Sequence, residues 1–209
     1  KKTGGVRICC DYKKLNQITV SDGYPIPRQD ELFAALGGQK IFAALDLKSG
    51  YYNVKIQPES QHYTAFITPW GLYEWSRMPF GLKTAPSHFQ RCVNSVLRGL
   101  IGPKCLVYLD DILVFGEDEG TFVKNLQEVL HRLAEVNLLL NYDKCQIGMR
   151  EVKYLGFIVN NHGRRIDPDR IQNLRDMKGP STVKGVQKLA TIIQVEGDSL
   201  GFVDKPAEL

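Results

Sequence analysis

The chain has 209 residues, 43% of them hydrophobic, and a formal net charge of +4. This length supports one sizeable domain with its own core, and the mild positive charge suits a polyanionic partner without requiring one. The five cysteines are odd in number and lack Cys-x-x-Cys spacing, which argues against a disulfide framework or a structural zinc site. No apolar run approaches the ~20 residues that span a bilayer and no signal peptide opens the chain, so we expect an intracellular protein, in a cytoplasmic particle or the nucleus, with no membrane partner. The first residue is Lys1 rather than Met, which indicates a fragment.

The first half of the chain predicts short strands around one short helix. In chain order, we expect a strand over 5–12, an irregular segment over 16–28, a short helix over 29–36, a buried strand over 41–47, and two strands over 54–56 and 64–68.

The second half predicts longer elements. Thr84 can cap a helix, and apolar strands over 105–108 and 112–115 flank Asp110 and Asp111 in a tight turn. The other expected elements are an amphipathic helix over 121–140, a hairpin strand over 152–159, and helices over 171–177 and 183–193. This order fits an α+β fold with a βαββαβ-like sheet and helices on one face.

Three aspartates stand beside buried strands. Asp46 ends an apolar run, and Asp110 and Asp111 fill the turn between two apolar strands. A desolvated carboxylate is costly unless a partner compensates its charge, and a magnesium ion held by one or two carboxylates plus substrate phosphates would do so. Two metals ~3.5–4 Å apart can activate a hydroxyl and stabilise a transferring phosphate. The residues alone leave an ordinary alternative open, because Asp-Asp is common turn chemistry and Asp46 could be a helix cap.

Six segments carry a more specific signal when taken together and in order. They are 7–16 with 22–27, 45–52, 77–86, Tyr-Leu-Asp-Asp at 108–111, 141–145 and 154–156. Together they resemble the motifs of reverse transcriptases, and their Met-Pro-Phe-Gly-Leu and Asp-Tyr-x-x-Leu-Asn wording is similar to the gypsy-type LTR retrotransposon branch. The resemblance implies a fingers and palm fragment of a pol polyprotein, with an α+β polymerase palm on a ferredoxin-like βαββαβ sheet and partial fingers.

The resemblance implies catalytic roles for five residues. Asp46 and Asp110 would bridge two Mg²⁺ ions, with Mn²⁺ as an alternative ion, and Asp111 would complete the cluster. The carbonyl of Leu47 would be a backbone ligand. Lys144 would protonate the leaving pyrophosphate as a general acid. A surface lysine remains the alternative reading of Lys144.

Five further residues would contact the incoming nucleotide. Tyr51 would lie under the sugar as a steric gate against a 2′-hydroxyl, with a packed core aromatic as the alternative. Arg7 would clamp the triphosphate with help from Lys2, although a solvated strand arginine is the better guess without the family. Phe80 would contact the sugar region, and Gly81 would allow the backbone to approach the nucleotide and template closely.

The later motifs imply contacts with nucleic acid. Tyr154, Leu155 and Gly156 would form the primer grip that aims the primer 3′ end at Asp110. The partners would be an RNA or DNA template with its primer, and dNTPs. Contacts would be mainly to phosphate and sugar, so binding should weaken with salt, and an A-like hybrid should be accepted by shape.

The resemblance also divides the chain. The expected regions are partial fingers at 1–21 and 54–84, palm at 22–53 and 85–162, the start of a thumb at 163–194, and a tail at 195–209 that is either disordered or non-native. Other pol regions such as RNase H are expected in the full-length protein. A rudimentary thumb would weaken processive binding of primer and template.

The sequence therefore favours an enzyme, an RNA-directed and DNA-directed DNA polymerase core that transfers nucleotides to a primer 3′ end with two metals. The alternative is a non-catalytic module, a co-opted or truncated copy that keeps the fold and binds protein or nucleic acid. A metal-dependent nuclease would leave the fingers and primer-grip motifs unexplained.

Overall fold

The computed structural model describes residues 8–175, 182–183 and 185–187. The helices in these ranges are α1 Lys13–Ile18, α2 Gln29–Ala34, α3 Pro58–Gln61, α4 Ala85–Val96, α5 Glu119–Glu135 and α6 Pro168–Arg175. The strands are β1 Ile41–Asp46, β2 Phe66–Thr68, β3 Gly71–Tyr73, β4 Cys105–Tyr108, β5 Asp111–Gly116, β6 Gln146–Met149, β7 Glu151–Tyr154, β8 Phe157–Asn160 and β9 Gly163–Ile166. Three short 3₁₀ turns cover Gly50–Asn53, His62–Thr64 and Tyr142–Lys144.

A four-stranded antiparallel sheet organises the fold, with the strands in the order β4-β5-β1-β6. Along the chain, α4 lies between β1 and β4, and α5 lies between β5 and β6. The sequence of elements is therefore βαββαβ, which confirms the predicted α+β class and its ferredoxin-like sheet.

The two faces of this sheet bury different sets of residues, because successive side chains of a strand point to opposite faces. Ile41, Ala43 and Leu45 of β1 belong to a core shared with α4 and α5. Phe42 belongs to a second core with α2 and the β7–β8 hairpin. Each fully buried Leu, Ile or Phe stabilises the fold by roughly 1.5–3 kcal/mol. The two long helices lie on one face as predicted, and the second face is covered as well.

The first turn of α5 shows why this helix begins earlier than predicted. The carboxylate of Asp118 accepts a hydrogen bond from the peptide N–H of Thr121 at 2.8 Å, which satisfies one of the free donors at the helix start. Thr84 does precede α4 as predicted. Its hydroxyl makes no capping bond, because Thr84 already has a helical backbone conformation.

Some of the expected strands are wrong. Residues 8–12 form no strand, and Lys13–Ile18 is helical because Asp11 accepts the N–H of Lys13 and turns the chain. The expected strand at 54–56 is reduced to a single bridge between Lys55 and Arg77. The strand expected from residue 64 begins at Phe66, because the preceding residues close a 3₁₀ turn.

Several predictions fall on residues that the structure does not describe. Lys2 and Arg7 lie outside the described residues, as do the tail 195–209 and most of the helix expected over 183–193. Within the described ranges, no helix is both long enough and apolar enough to cross a membrane.

Candidate active site

Two of the three aspartates are neighbours across the central sheet. Asp46 is the last residue of β1 and Asp111 is the first of β5, and the antiparallel register makes them partners. The peptide N–H of Leu47 donates to the carbonyl oxygen of Asp110 at 3.0 Å. The backbone therefore brings Asp46, Asp110 and Asp111 to one edge of the sheet.

The turn that carries Asp110 is strained. Leu109 has a φ of 56°, in the left-handed region that β-carbon-bearing residues rarely adopt. Its N–H donates to the side-chain oxygen of Gln90, a buried residue of α4, at 2.7 Å. Sequence reasoning did not identify Gln90. The sequence signal for Gln90 was its polar side chain on the part of the α4 helix that also carries the apolar Phe89 and Val93.

The electrostatics of the edge show a shortage of positive charge. Burial, together with the negative charges of Asp110 and Asp46, raises the pKa of Asp111 to about 6 against the opposing charge of Lys144. The ammonium of Lys144 pairs with the carboxylate of Asp46 at 3.0 Å. Among the described residues, Lys144 is the cation that pairs with one of these three acids, and a divalent cation would add positive charge at this edge.

The predicted donor set fits a hard, oxygen-binding cation such as Mg²⁺, because carboxylates and a backbone carbonyl are oxygen ligands. The side chains are not arranged around an ion, however. Within the described residues, no group of three or more His, Cys, Asp or Glu side chains could hold a metal ion. Asp46 is turned toward Lys144 instead, with both of its carboxylate oxygens within 3.3 Å of the ammonium.

A cavity of about 200 Å³ opens beside these carboxylates. Its lining includes Asp46, Asp111, Lys144, Gln146, Lys153, Tyr154 and Leu155. Tyr154 is 3% exposed, and its hydroxyl has no hydrogen-bond partner among the described residues. Burial raises the pKa of this hydroxyl, as does the charge of Asp111. The structure thus brings two of the predicted grip residues to the carboxylate edge.

The predicted grip sequence forms the turn between β7 and β8. Leu155 and Gly156 have φ values of 51° and 80°, and Tyr154 pairs with Phe157 across the turn. Positive φ at both central residues is the signature of a type I′ hairpin. A Cβ at Gly156 would lie 2.5 Å from a guanidinium nitrogen of Arg170, so glycine also allows this arginine to pack against the turn.

The predicted nucleotide residues form an aromatic group beside Asp110. The ring of Tyr51 lies 5.2 Å from that of Phe80 and 5.4 Å from that of Phe89. Burial raises the pKa of Tyr51, and the charge of Asp110 raises it further. Gly81 has a φ of 98°, and a Cβ there would lie 3.4 Å from the carbonyl oxygen of Cys10. The structure therefore places Tyr51 and Phe80 together, and the positive φ of Gly81 favours glycine at the next position.

This combination of an antiparallel βαββαβ sheet, three aspartates on its edge and an adjoining type I′ hairpin is the architecture of a polymerase palm. The model of the reverse transcriptase (RNA-dependent DNA polymerase) family matches residues 1–159. The chain therefore belongs to this family, and the predicted resemblance is confirmed.

The chain is similar in sequence to curated Pol polyproteins and in structure to a solved reverse transcriptase. The chain is 41% identical over 181 residues to the retrovirus-related Pol polyprotein from transposon 297 of Drosophila melanogaster, covering 87% of the chain and 17% of the relative. It is 38% identical over 181 residues to the Pol polyprotein from transposon gypsy of the same organism, covering 87% of the chain and 18% of the relative. The foamy viral protease-reverse transcriptase in complex with RNA/DNA hybrid matches with a TM-score of 0.78 and 26% identity over 88% of the chain and 25% of that protein. The chain thus spans less than a fifth of these curated relatives.

Proposed function

We propose that this chain is the polymerase core of a reverse transcriptase and adds nucleotides to a primer 3′ end on an RNA or DNA template. The observation that carries the proposal is the pairing of Asp46 with Asp111, with the carbonyl of Asp110 held at Leu47. This backbone arrangement gathers three carboxylates at one sheet edge in a chain of the reverse transcriptase family.

Mg²⁺, or Mn²⁺ in its place, would be held by Asp46, Asp110 and Asp111 with the carbonyl of Leu47. The family generally uses divalent metals, and when bound they activate the primer hydroxyl and neutralise charge on the transferring phosphate. The side chain of Lys144 is 64% exposed. Its pairing with Asp46 is therefore weak enough to break, which frees Asp46 as a ligand and Lys144 to donate a proton to the leaving pyrophosphate.

The aromatic group would receive the incoming dNTP. Tyr51 is held against Phe80 and Phe89, which makes its ring a fixed wall beside Asp110 rather than a mobile surface residue. A fixed ring can exclude a 2′-hydroxyl by shape. Gly81 would let the backbone approach the base pair, and the triphosphate clamp by Arg7 and Lys2 remains a prediction from sequence.

The hairpin Tyr154-Leu155-Gly156 would grip the primer. It shares a cavity with Asp46 and Asp111, so a primer end held by this turn would lie next to the carboxylates. The solved foamy viral neighbours in complex with RNA/DNA hybrid and with dsDNA support a primer and template as the partners. RNase H and other pol regions would lie elsewhere in the longer protein.

A division of labour along the chain accompanies this proposal. We assign partial fingers to 1–21 and 54–84, palm to 22–53 and 85–162, and the start of the thumb to 163–194. The hydrogen bonds between Asn16 and the 81–83 backbone support the grouping of the two finger segments, because they join the segments directly.

Primer extension on matched RNA and DNA templates, with Mg²⁺ and dNTPs, tests the proposal. We expect extension by the wild type, none by Asp110→Asn, and full activity in Asp30→Asn. The last variant removes an equal charge from an exposed carboxylate on α2 that pairs with Arg28 at the surface. Absence of extension by the wild type, together with absence of Mg²⁺ and dNTP binding in calorimetry, would favour the non-catalytic module.

A further inference from the structure

Gln90 is a polar residue in an apolar core. It lies in the middle of α4, directly after the buried Phe89 and three residues before the buried Val93, and is 0% exposed. Burial of an amide is unfavourable unless its donors and its acceptor are bonded. The side chain of Gln90 satisfies all of them within this core.

Each bond of the Gln90 amide has a defined partner. Its Nε2 donates to the side-chain oxygen of Asn94 at 2.9 Å and to the carbonyl oxygen of Val107 at 3.3 Å. Its Oε1 accepts the N–H of Leu109 at 2.7 Å. Gln90 therefore binds the backbone of β4 on one side of Tyr108 and the catalytic turn on the other.

The Leu109 bond falls where the backbone most needs support. Leu109 has a left-handed φ of 56° and immediately precedes Asp110. Such a conformation persists only where its surroundings determine it, and strain of this kind is concentrated at functional sites. The Gln90 amide holds the strained peptide by its N–H, which fixes where the next residue leaves the turn.

A second set of contacts fixes which way the Gln90 amide faces. The Nδ2 of Asn94 donates to the hydroxyl of Tyr24 at 2.8 Å, so its Oδ1 is left to accept from Gln90. The guanidinium of Arg91 lies 5.0 Å from the centre of the Tyr24 ring and pairs with Asp22 at 2.5 Å. A continuous chain of contacts thus runs from the surface segment 22–24 through α4 to the catalytic turn.

We propose that Gln90 is a positioning residue for Asp110, and that Tyr24 and Asn94 orient its amide for this task. Gln90 does not touch the substrate or the metal in this role. It acts by holding the Leu109 peptide, so that the Asp110 carboxylate is presented in a single position. The proposal rests on the proposed polymerase function, and it assigns the segment 22–24 an indirect part in that function.

The decisive variant is Gln90→Met, with Asn125→Leu as its matched control. Methionine keeps the length of the side chain and removes every hydrogen bond. Asn125 of α5 is also a buried amide bonded to a strand carbonyl, that of Phe115 at 2.9 Å, but at the opposite end of β5 from Asp111. Gln90→Met removes three buried hydrogen bonds and Asn125→Leu removes the one to Phe115, and only the Gln90 bonds reach the turn.

Single-nucleotide incorporation should separate the two variants. Displacement of a catalytic group by about 1 Å costs on the order of 100-fold in rate. We therefore expect Gln90→Met to lower kcat by about 10- to 100-fold while leaving the KM for dNTP and the Kd for primer and template nearly unchanged. Asn125→Leu should also lower the Tm, by less than Gln90→Met, because it loses fewer buried bonds, and it should keep kcat. A loss of kcat that follows the loss of Tm equally in both variants would overturn the proposal.

Amide hydrogen exchange provides a measurement that needs no polymerase activity. In Gln90→Met, the Leu109 amide should exchange faster relative to the Val114 amide in the middle of β5, and in Asn125→Leu the ratio should stay as in the wild type. An unchanged ratio in Gln90→Met would show that the turn does not depend on Gln90. If the wild type does not extend primers, the polymerase proposal fails, and this ratio still decides whether Gln90 holds the turn.

Tyr24→Phe tests the orienting contacts alone, because it removes only the hydroxyl. The Nδ2 of Asn94 then loses its acceptor, so Asn94 holds the Nε2 of Gln90 less firmly, while Val107 and Leu109 still bind the Gln90 amide. We expect a smaller fall of kcat than in Gln90→Met, in the same direction and without a change in KM. Tyr63→Phe, at a 62% exposed tyrosine, should have no effect. A wild-type kcat in Tyr24→Phe would refute the orienting role.

Discussion

The close approach of α5 to the end of β5 gives a sharp test of the packing behind the site. A Cβ added at Gly116 would lie 2.5 Å from the peptide nitrogen and 2.6 Å from the Cα of Phe122. A Cβ atom essentially never comes within 3.0 Å of a heavy atom outside its own residue and chain neighbours. Gly116→Ala therefore requires the backbones of β5 and α5 to separate by at least 0.5 Å, from 2.5 to 3.0 Å. No rotation of a side chain can relieve this contact.

The separation would act on bonds that hold α5 in place. The Asn125 side chain donates to the carbonyl of Phe115, the residue before Gly116. Asp118, two residues after Gly116, caps the start of α5. Overpacking of a core costs typically 1–3 kcal/mol, and we expect about 3 kcal/mol here because backbone atoms are involved. For a chain of this size, each kcal/mol lowers the Tm by roughly 2–4 °C, so the Tm should fall by about 6–12 °C.

Thermal unfolding of Gly116→Ala beside Gly37→Ala is the appropriate assay. Gly37 has no atom within 4 Å of an added Cβ and no positive φ, so alanine there should change the Tm little. A fall of less than about 3 °C in Gly116→Ala, or a fall equal to that in Gly37→Ala, would mean that α5 does not approach β5 as closely as described.

Two further outcomes follow from the charges and burial of particular groups. Lys144→Ala should change the free energy of unfolding by less than about 1 kcal/mol, because the lysine side chain of its pair with Asp46 is 64% exposed. It should lower the rate of nucleotide incorporation by about 100-fold if Lys144 is the general acid. An unchanged rate would contradict that role. So would a loss of rate that is explained by a large fall in the free energy of unfolding. Burial raises the pKa of the Cys105 thiol to about 12, so an alkylating reagent at pH 8 should label the exposed Cys9 readily and Cys105 only after unfolding. Labelling of Cys105 at the rate of Cys9 in the folded protein would show that β4 is not buried.

The elements that the sequence predicted well are those whose pattern is decided locally. The run Ile41–Asp46 is apolar at every position before the aspartate, and it forms a strand that is buried on both faces. The turn at Asp110 was found because two apolar strands flank it. The 13–18 helix was missed because none of its residues is fully buried, and its position depends on contacts such as that of Asn16 with Gly81, 65 residues away.

Only part of the site could be predicted, because only part of it is determined by the local sequence. Its aspartates are marked by the strands next to them, whereas their support depends on distant partners. Leu109 adopts a conformation that is usual for Gly or Asn, so no local preference announces it. Gln90, which binds the Leu109 N–H, is 19 positions away in the sequence. Asn94, which contacts Gln90, is in turn bonded to Tyr24, 70 positions from it.

Asp46 and Asp111 are a like-charged pair directly opposite each other in a sheet, an arrangement that disfavours folding. Apolar side chains at these positions would extend the surrounding core, where Leu45 and Ile112 already pair across the same two strands. The fold instead keeps two repelling carboxylates, with the left-handed Leu109 close by in the chain and Lys144 as the counter-charge of Asp46. Local conflicts of this kind are expected where function rather than stability selects the residue. The carboxylates that repel one another here would become the ligands of a bound divalent cation. The loss of folding stability and the proposed catalytic use of this edge therefore have one physical origin, the closeness of these negative charges.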